Sequence, residues 1–465
     1  MTFRHRPVVF LAVAAALITS AVLWRLSAGV SNLVRISLIA VVPLFLLRAA
    51  GWTMSCFDRP ARVAPGSWQA DYLSALRVVV SVPVFNENGA LLDRCLWALV
   101  NQTRPPQRID VVDDGSTKED YTTLREYWTG CHVTQDGRWR TEVSWNVQEN
   151  AGKRRAHCVT FTTDPLADIF VTVDSDTTLV HNAIEEGLKP FVNEEIQSVA
   201  GIELGYNAAH NLLTLIQNAL QQVAQAVVSA AWSVTGNMFT NRGPFALYRA
   251  GMIRQMVPLY WGETFFGHRV VLGDDSLLAL AGSMYGKSVQ QLSAFGLTMW
   301  PETLSHHIRQ RVRWARGRTV RNCWRLKYYP VMTYIWWFTI ASIYSFITGF
   351  AALILLALSW PASAHLIGRI LMAVIVLSWL SQLRVLCFKR SDDSWLDRFL
   401  LIAIRPLASL WASVVLTRLV RGWGMATCMK QGWTTRQHGA ELTLEPDAAI
   451  EEGFGLAVKE KESMA

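Results

Sequence analysis

Hydrophobic and polar positions divide the chain into an apolar beginning, a long mixed middle and an apolar end. The beginning holds two apolar runs, at 8–24 and 33–47, with no small-residue cleavage site between them. They predict a transmembrane hairpin rather than a signal peptide. No span-like run interrupts 51–330, which predicts a globular domain. Apolar runs long enough to cross a membrane resume at 331–358, 366–388 and 399–420.

Short strand patterns alternate with helical patterns in the globular domain. Runs rich in β-branched residues begin at Arg77, Ile109 and Ile169, and each ends in a polar loop with carboxylates. The pattern at 91–101 favours a helix. This alternation predicts a largely parallel sheet with helices on both faces, which is an α/β fold. Ligands of such sheets bind beyond the carboxyl ends of the strands, where these acidic loops fall.

Composition narrows the class of protein. Of 465 residues, 51% are hydrophobic, only 17% are charged and 20 are Trp, which favours membrane segments over a wholly soluble chain. The net charge of +8 does not indicate nucleic acid, because the basic residues crowd around the apolar runs and no aromatic-basic module is found. The seven Cys form no Cys-x-x-Cys pair, so neither a zinc site nor a disulfide framework is expected.

Basic and polar residues also set the expected topology. Arg4 and Arg6 precede the first apolar run and place the N-terminus in the cytoplasm, and two spans return the chain there. The pair Arg405-Pro406 interrupts the last apolar run, which predicts a broken, re-entrant or strongly tilted segment. From Gln437 the tail is polar and acidic and is expected to be mobile.

An acidic pair and a lysine are the first candidates for chemistry. Asp174 and Asp176 end the third strand pattern and can hold a hard divalent cation through oxygen ligands. A solvated turn is the alternative for any Asp-x-Asp, but three acidic strand ends in one domain favour the metal. Lys153 lies in a basic loop and could contact phosphate, although a solvated basic loop explains it too.

Asp274 and Asp275 form a second acidic pair. A reacting hydroxyl needs a nearby carboxylate to take its proton. Adjacent residues at a helix start point in different directions, so one carboxylate can act as base while the other caps or orients. A plain N-cap for a helix at 277–285 explains the pair equally well.

A basic segment precedes the apolar end. From Arg309 to Lys327 there are eight Arg or Lys and no acid, and Arg309, Arg313 and Arg316 share one helical face. This pattern predicts a helix at the cytoplasmic interface of the membrane. Within it, Gln310–Trp314 could stack a ring on a sugar while guanidinium groups contact phosphate. An ordinary basic membrane-surface segment is the alternative.

Taken in order, these motifs resemble those of membrane-embedded, processive family 2 glycosyltransferases. Hyaluronan synthases are the most similar group, bacterial chitin-oligosaccharide synthases come next, and cellulose synthases are more remote. The motifs that carry the resemblance are Val82-Pro-Val-Phe-Asn-Glu87, Val112-Asp-Asp-Gly-Ser116, Gly152-Lys-Arg154, Asp174-Ser-Asp-Thr177, Arg242-Gly-Pro-Phe-Ala-Leu-Tyr-Arg249, Gly273-Asp-Asp275, Gln310-Arg-Val-Arg-Trp314 and Gly432-Trp-Thr-Thr-Arg436. Each motif alone is weak, but their ordered set is specific.

The resemblance implies a GT-A fold and a role for each matching residue. The donor, a UDP-sugar, would be held by Pro83, Glu87, Asp113, Asp114, Lys153, Asp174 and Arg313. The metal, Mg²⁺ or Mn²⁺, would be held by Asp176 and the general base would be Asp275. The acceptor would be bound by Gln310 and Trp314, and a gating-like element would contain Trp433 and Arg436. Three departures from the motifs concern the identity of the polymer more than the chemistry: Ser276, Arg311 and Thr434.

The sequence therefore predicts a GT-A domain combined with transmembrane and interfacial helices. The expected parts are an N-terminal transmembrane hairpin (1–50), a cytoplasmic catalytic domain (51–300), interfacial basic helices (301–330), a transmembrane region (331–420) and a gating-like segment with the tail (421–465). The resemblance implies inverting, processive β-polymerisation of UDP-GlcNAc and UDP-GlcUA into hyaluronan, exported through the chain's own membrane region. The alternatives are a chitin-type synthase using UDP-GlcNAc only, a non-processive lipid-linked sugar transferase, and a transporter or receptor with a degenerate transferase domain.

The same reasoning predicts the binding partners, the cellular location and the oligomeric state. The partners are UDP-sugar donors, the growing polysaccharide and the lipid bilayer, with no nucleic acid. The expected location is the plasma (inner) membrane, with several spans and a cytoplasmic catalytic domain. A monomer is the expected state.

Overall fold

The computed structural model describes residues 32–133, 137–358, 364–387 and 394–430, together with Ala21 and Arg25. The predicted first span, apart from Ala21, lies outside the described residues, and so do Trp433, Arg436 and the tail from Gln437. The described part contains an α/β domain followed by long helices.

A nine-stranded sheet forms the centre of the α/β domain, and a two-stranded hairpin lies apart from it. The strands are β1 (Val78–Val84), β2 (Arg108–Asp113), β3 (Gly130–Val133), β4 (Arg140–Val147), β5 (Ile169–Val173), β6 (Thr178–Leu179), β7 (Ile196–Gly205), β8 (Phe245–Arg249), β9 (Thr264–Phe265), β10 (His268–Arg269) and β11 (Lys287–Thr298). Their order in the sheet is β3-β4-β2-β1-β5-β8-β7-β11-β6, and β9 pairs with β10. The three strands predicted from the sequence are β1, β2 and β5.

The sheet is mixed but mostly parallel. The ladders between β1, β2, β4 and β5 are parallel, and so is the long ladder between β7 and β11. Strand β8 runs antiparallel to both of its neighbours, β5 and β7. The Val-rich strands β1 and β5 are buried along nearly their whole length, as expected for strands covered on both faces.

Helices cover both faces of the sheet and continue beyond it. They are α1 (Asn32–Ser55), α2 (Trp68–Ala75), α3 (Gly89–Val100), α4 (Thr122–Trp128), α5 (Lys153–Thr163), α6 (Ala183–Leu188), α7 (Leu212–Val223), α8 (Ala230–Val234), α9 (Ala250–Gly262), α10 (Asp274–Tyr285), α11 (Leu304–Tyr328), α12 (Tyr334–Leu358), α13 (Ala364–Leu383), α14 (Trp395–Leu410) and α15 (Arg421–Ala426). One core packs α3 and α6 against the sheet, and another packs α5, α9 and α10 against its other face. The predicted helix at 91–101 is confirmed as α3, and the basic helix as α11.

Two helices in the described part are long and apolar enough to cross a membrane, with windows at Tyr334–Ala351 and Arg398–Ala426. Of the three alternatives predicted for the segment at Arg405-Pro406, a break is wrong, because α14 continues through a π-helical segment, Trp411–Val420, into α15; a re-entrant or strongly tilted segment stays a prediction. Arg405 turns inward, and its Nη1 donates to the carbonyl of Ala219 at 3.1 Å. The charge in this apolar run is therefore accommodated by packing against α7 rather than by a break in the helix.

A buried junction joins three distant parts of the chain. Asp58 follows α1, and its Oδ2 accepts a hydrogen bond of 2.7 Å from Gln290 of β11. The Nη2 of Arg384, just after α13, donates to the carbonyls of Ser55 and Asp58 at 2.5 and 3.2 Å. Burial is the main cause that raises the pKa of Asp58 to about 6. The α/β domain is thus joined at one point to helices that precede and follow it in the chain.

Candidate active site

The acidic loops predicted from the sequence meet at one edge of the sheet. Strands β2, β1 and β5 are parallel neighbours, so their carboxyl ends lie side by side. Asp113 ends β2 opposite Val84, and its Oδ1 accepts from the Ser116 amide at 2.9 Å. Glu87, after β1, accepts from the hydroxyl of Ser175, after β5, at 3.0 Å. Pro83 lies within β1, where its register partner is Val112.

Asp114 holds the loop that leads to Lys153. Its Oδ1 accepts from Gln148 Nε2 at 2.6 Å and from the Ala151 amide at 2.9 Å, and its Oδ2 accepts from the Gly152 amide at 2.8 Å. Burial raises the pKa of Asp114, although these three hydrogen bonds work in the opposite direction. With both oxygens engaged inside the protein, Asp114 acts here as the anchor of the loop.

Lys153 connects the two acidic pairs. Its Nζ lies 2.5 Å from Asp174 Oδ1 and 3.6 Å from Asp274 Oδ2. Burial disfavours the ammonium, but the charges of Asp174 and Asp274 outweigh it, so the pKa of Lys153 is raised. A Cβ added at Gly243 would lie 3.7 Å from Asp174 Oδ2 and 3.8 Å from Lys153 Nζ, so the loop bearing Gly243 lines the same place. A fixed cation among carboxylates is suited to contact a phosphate.

Asp274 and Asp275 have different environments. Burial opposes ionisation of Asp274, but the charge of Lys153 outweighs it and lowers its pKa. Burial and then the negative charge of Asp274 raise the pKa of Asp275. The Oδ2 of Asp275 accepts from Thr240 Oγ1 at 2.7 Å, and its Oδ1 accepts from the Ser276 amide, also at 2.7 Å. Of the pair, Asp275 has the properties of a proton acceptor, and Asp274 those of a partner for Lys153.

The basic helix α11 packs directly on the turn that carries this pair. Gly273 has a φ of +74°, and a Cβ there would lie 3.6 Å from the Cα of Gly317. The charge of Arg313 reaches Asp274 and helps to lower its pKa. Trp314 is 38% exposed, and the guanidinium of Arg311 lies 4.4 Å from its ring centroid. The close contact of the two glycines therefore brings the acidic pair to the helix with the predicted acceptor residues.

A buried ionic network behind this turn was not predicted from the sequence. Glu263 accepts from Arg321 at 2.6 and 2.9 Å and from Arg154 at 2.9 Å. Arg154 also donates to the carbonyl of Leu272 at 2.9 Å, directly before Gly273. Burial would raise the pKa of Glu263, but the two guanidinium groups outweigh it and lower it. One signal was present in the sequence: Glu263 is the only carboxylate between Glu203 and Asp274.

The donor atoms at the strand edge suit a hard cation. Asp174 and Asp176 follow β5 and are partly exposed, and both present carboxylate oxygens. The Oδ1 of Asp176 accepts from Thr298 Oγ1 at 3.3 Å, which orients it. Within the described part of the chain, no group of three or more His, Cys, Asp or Glu could hold a metal ion. Any cation here would therefore need further oxygen ligands, which water or a diphosphate can supply.

The fold and the site together define a glycosyltransferase domain of the GT-A type. Residues 79–256 match the sequence family described as "Glycosyl transferase family 2", and residues 169–385 match "Glycosyl transferase family group 2". The chain therefore carries family 2 glycosyltransferase domains. It is also hyaluronan-synthase-like, because it is 34% identical to the hyaluronan synthase of Streptococcus pyogenes over 241 residues.

The likeness to curated relatives covers part of each chain. The streptococcal match covers 52% of this chain and 57% of the relative. An N-acetylglucosaminyltransferase of Rhizobium meliloti is 28% identical over 243 residues, which are 52% of this chain and 55% of that one. The chain thus spans just over half the length of these relatives. A mannosyltransferase of Pyrobaculum calidifontis, solved with GDP-Man and Mn²⁺, shares the fold with a TM-score of 0.50 and 15% identity, over 82% of this chain and 98% of that one.

Proposed function

We propose that this chain is a membrane-embedded, processive glycosyltransferase that joins UDP-sugars into hyaluronan. The contact between Gly273 and Gly317 carries the proposal, because it places Asp275 beside the helix that bears Gln310 and Trp314. We propose that Asp275 is the proton acceptor, that Lys153 contacts the diphosphate, and that Trp314, further along the same helix as Gly317, stacks on a sugar ring. The likeness to hyaluronan synthase supports this choice of product.

In the proposed mechanism, Asp275 takes the proton of the acceptor hydroxyl, which attacks the anomeric carbon of the donor from the face opposite UDP. The anomeric carbon–oxygen bond to the diphosphate breaks, and the configuration inverts from α to β. Lys153 and Arg313 stabilise the negative charge that develops on the departing diphosphate. Trp314 supports the acceptor sugar by stacking, and Asp113 and Asp114 shape the region for the uridine end.

A divalent cation belongs to the proposal. Asp176 would hold it, with the Asp174 carboxylate beside it. A bound Mg²⁺ or Mn²⁺ would neutralise charge on the diphosphate. The Mn²⁺ of the mannosyltransferase with the same fold supports the use of a divalent cation.

The membrane setting is proposed from the long apolar helices. The two candidate spans in the described part follow the catalytic domain, and α11 leads into the first of them. We place the domain on the cytoplasmic face and the polymer in a path between the helices. In sealed inverted vesicles, export predicts labelled polymer inside the lumen and protected from added hyaluronidase. Polymer that stays outside would contradict export without contradicting synthesis.

Donor-resolved synthesis tests the product. Membranes containing the chain are given UDP-GlcNAc, UDP-GlcUA or both, with Mg²⁺ or Mn²⁺, and the product is digested with hyaluronidase or chitinase. Long, hyaluronidase-sensitive polymer from both donors together is the expected result. Chitinase-sensitive polymer from UDP-GlcNAc alone would instead support the second candidate, which the likeness to an N-acetylglucosaminyltransferase favours. Transfer of one sugar to a lipid would contradict both.

A further inference from the structure

The two-stranded hairpin beside the active site ends in an exposed aromatic tip. Phe265 of β9 pairs with His268 of β10, which leaves Phe266 and Gly267 as a two-residue turn. The side chain of Phe266 is 82% exposed. Its ring packs edge-on against the ring of Phe265, with centroids 4.6 Å apart. A large apolar ring at the tip of a turn is therefore presented outward.

The backbone of this turn does not favour phenylalanine. Phe266 has a φ of +48° and Gly267 a φ of +78°. Positive φ at both central residues is the property of a type I′ turn, for which Asn-Gly is the preferred sequence. A bulky residue in the left-handed region is strained, and such strain persists where the side chain has a use. Local backbone preference thus gives no reason for Phe at this position.

The tip continues a row of aromatic rings that leads to a candidate membrane span. The centroid of Phe265 lies 6.2 Å from that of Trp324, and Trp324 lies 5.9 Å from Tyr328. Six residues after Tyr328, α12 begins, and Trp336 Nε1 in its first turns donates to the carbonyl of Leu326 at 3.2 Å. Rows of Trp, Tyr and Phe beside a span are typical of the boundary between headgroups and acyl chains.

Two cations lie against aromatic rings in the row and beside the hairpin. The guanidinium of Arg269 lies 3.6 Å from the ring centroid of Trp261, and the Nζ of Lys327 lies 5.5 Å from that of Trp324. The carboxylate of Glu263 accepts from Trp324 Nε1 at 2.9 Å, but it is buried and its charge is balanced by ion pairs with Arg154 and Arg321. Cations interleaved with aromatic rings fit an anionic bilayer surface.

We propose that the hairpin is a membrane contact, with Phe266 inserted at the headgroup level of an anionic bilayer beside the start of α12. This inference rests on the membrane setting proposed above. The hairpin is joined to the acidic pair by only four residues, from Val270 to Gly273. Contact with the bilayer therefore fixes the height of Asp275 above the membrane surface.

Photo-crosslinking tests the contact without relying on activity. The full chain is reconstituted into vesicles of phosphatidylethanolamine and phosphatidylglycerol, with p-benzoylphenylalanine at position 266. The matched control carries the probe at 127, because Tyr127 is a comparably exposed aromatic residue, at 69%, on a helix that contacts β4. We expect a phospholipid adduct at 266 at least tenfold above that at 127. Equal yields, or an adduct to protein at 266, would overturn the proposal.

A second variant separates membrane contact from folding. Phe266→Asn supplies the residue that the turn prefers, so the thermal midpoint should be unchanged or higher. For this test the p-benzoylphenylalanine is placed at position 328. Phe266→Asn should then lower the yield of phospholipid adduct at 328 severalfold, whereas Tyr127→Asn should leave that yield unchanged. An adduct at 328 that Phe266→Asn leaves unchanged contradicts the role of Phe266. Vesicle flotation reports separately on the membrane setting, since a chain that does not float contradicts that setting itself.

Discussion

Arg321 donates to both carboxylate oxygens of Glu263, at 2.6 and 2.9 Å, across 58 residues of chain. Arg154 joins the same carboxylate from α5, one residue after Lys153. This network joins α11, which bears the predicted acceptor residues, to the start of α5. Through Arg154 it also reaches the turn before Asp274. Its role is to position other groups, because none of its three charges is open to solvent.

Glu263→Gln should strongly destabilise the protein. The change leaves two buried guanidinium groups without their counter-charge, and loss of one partner of a buried ion pair typically removes about 3–5 kcal/mol. Thermal or denaturant unfolding of the detergent-solubilised chain measures the effect. Lys287→Met is the matched control, since it breaks the exposed pair with Glu195 and should unfold nearly as the unchanged protein does. Equal losses in both variants would show that the buried network is not stabilising.

Asp275→Asn should abolish most turnover while UDP still binds. Removal of a general base typically lowers the rate by about 10²–10⁴-fold. Activity of the unchanged protein should rise with pH through a pKa above the usual carboxyl range, because the base must be ionised and its pKa is raised. Initial rates at several pH values and UDP titration by calorimetry give both quantities. The exposed Asp71→Asn serves as control, and near-normal turnover in Asp275→Asn would refute the assignment.

Asp176→Asn should weaken the response to metal. One of the two strand-end carboxylates loses its charge, so half-maximal stimulation of UDP binding should require at least about tenfold more Mg²⁺ or Mn²⁺. Metal titrations of UDP binding measure this, and a chelator should remove the stimulation from the unchanged protein. Asp120→Asn changes an exposed carboxylate elsewhere and should titrate normally. The same metal dependence in both variants would exclude Asp176 as the ligand.

Gly317→Val should impair turnover by moving the acidic turn. A Cβ at Gly317 would lie 3.3 Å from the amide nitrogen of Gly273, and the branched side chain needs still more room. A misplacement of about 1 Å can lower a rate by about 10²-fold. Steady-state kinetics and the thermal midpoint should be measured together. Gly251→Val is the control, because nothing lies within 4 Å of a Cβ there; matching losses in the two variants would speak against the contact.

Asp58→Asn should change how stability depends on pH. The folded pKa of Asp58, about 6, exceeds the ordinary value of 3.8, so the folded protein binds the proton more tightly. The stabilisation is fully present below pH 3.8 and is lost as the pH rises through about 6. Two pKa units correspond to roughly 3 kcal/mol. Unfolding between pH 4 and 7 should show a falling stability that is flatter in Asp58→Asn but unchanged in Asp71→Asn; identical slopes in all three proteins would contradict this.

The strand edge could be predicted from the sequence because its signals are local. A hydrophobic run and the carboxylates after it are neighbours in the chain, so the positions of Asp113 and Asp174 follow from the sheet alone. The residues alone did not decide between Asp274 and Asp275, and only the resemblance pointed to Asp275, since the decision depends on Lys153 and Thr240, which are distant in sequence. Only the fold shows which carboxylate has which partner.

The basic helix α11 was also only partly predictable from the sequence. Its periodicity correctly predicted a helix, but it did not show that two of its cations, Arg321 and Arg325, are fully buried. Arg321 meets Glu263, and Arg325 donates to the carbonyl of Phe239. A run of Arg predicts positive charge, but it does not predict which of the side chains are buried. Their burial depends on partners that are distant in the sequence.

The junction at Asp58 also has a consequence for biosynthesis. A ribosome delivers Ser55 329 residues before Arg384, and Asp58 232 residues before Gln290. Until Arg384 has been synthesised, the carbonyl of Ser55 has to accept its hydrogen bond from water or from a chaperone. Closure of the junction therefore marks a chain whose synthesis has passed residue 384. A chain that stops before residue 384 would leave the carbonyls of Ser55 and Asp58 without this partner, and we expect cellular quality control to recognise it.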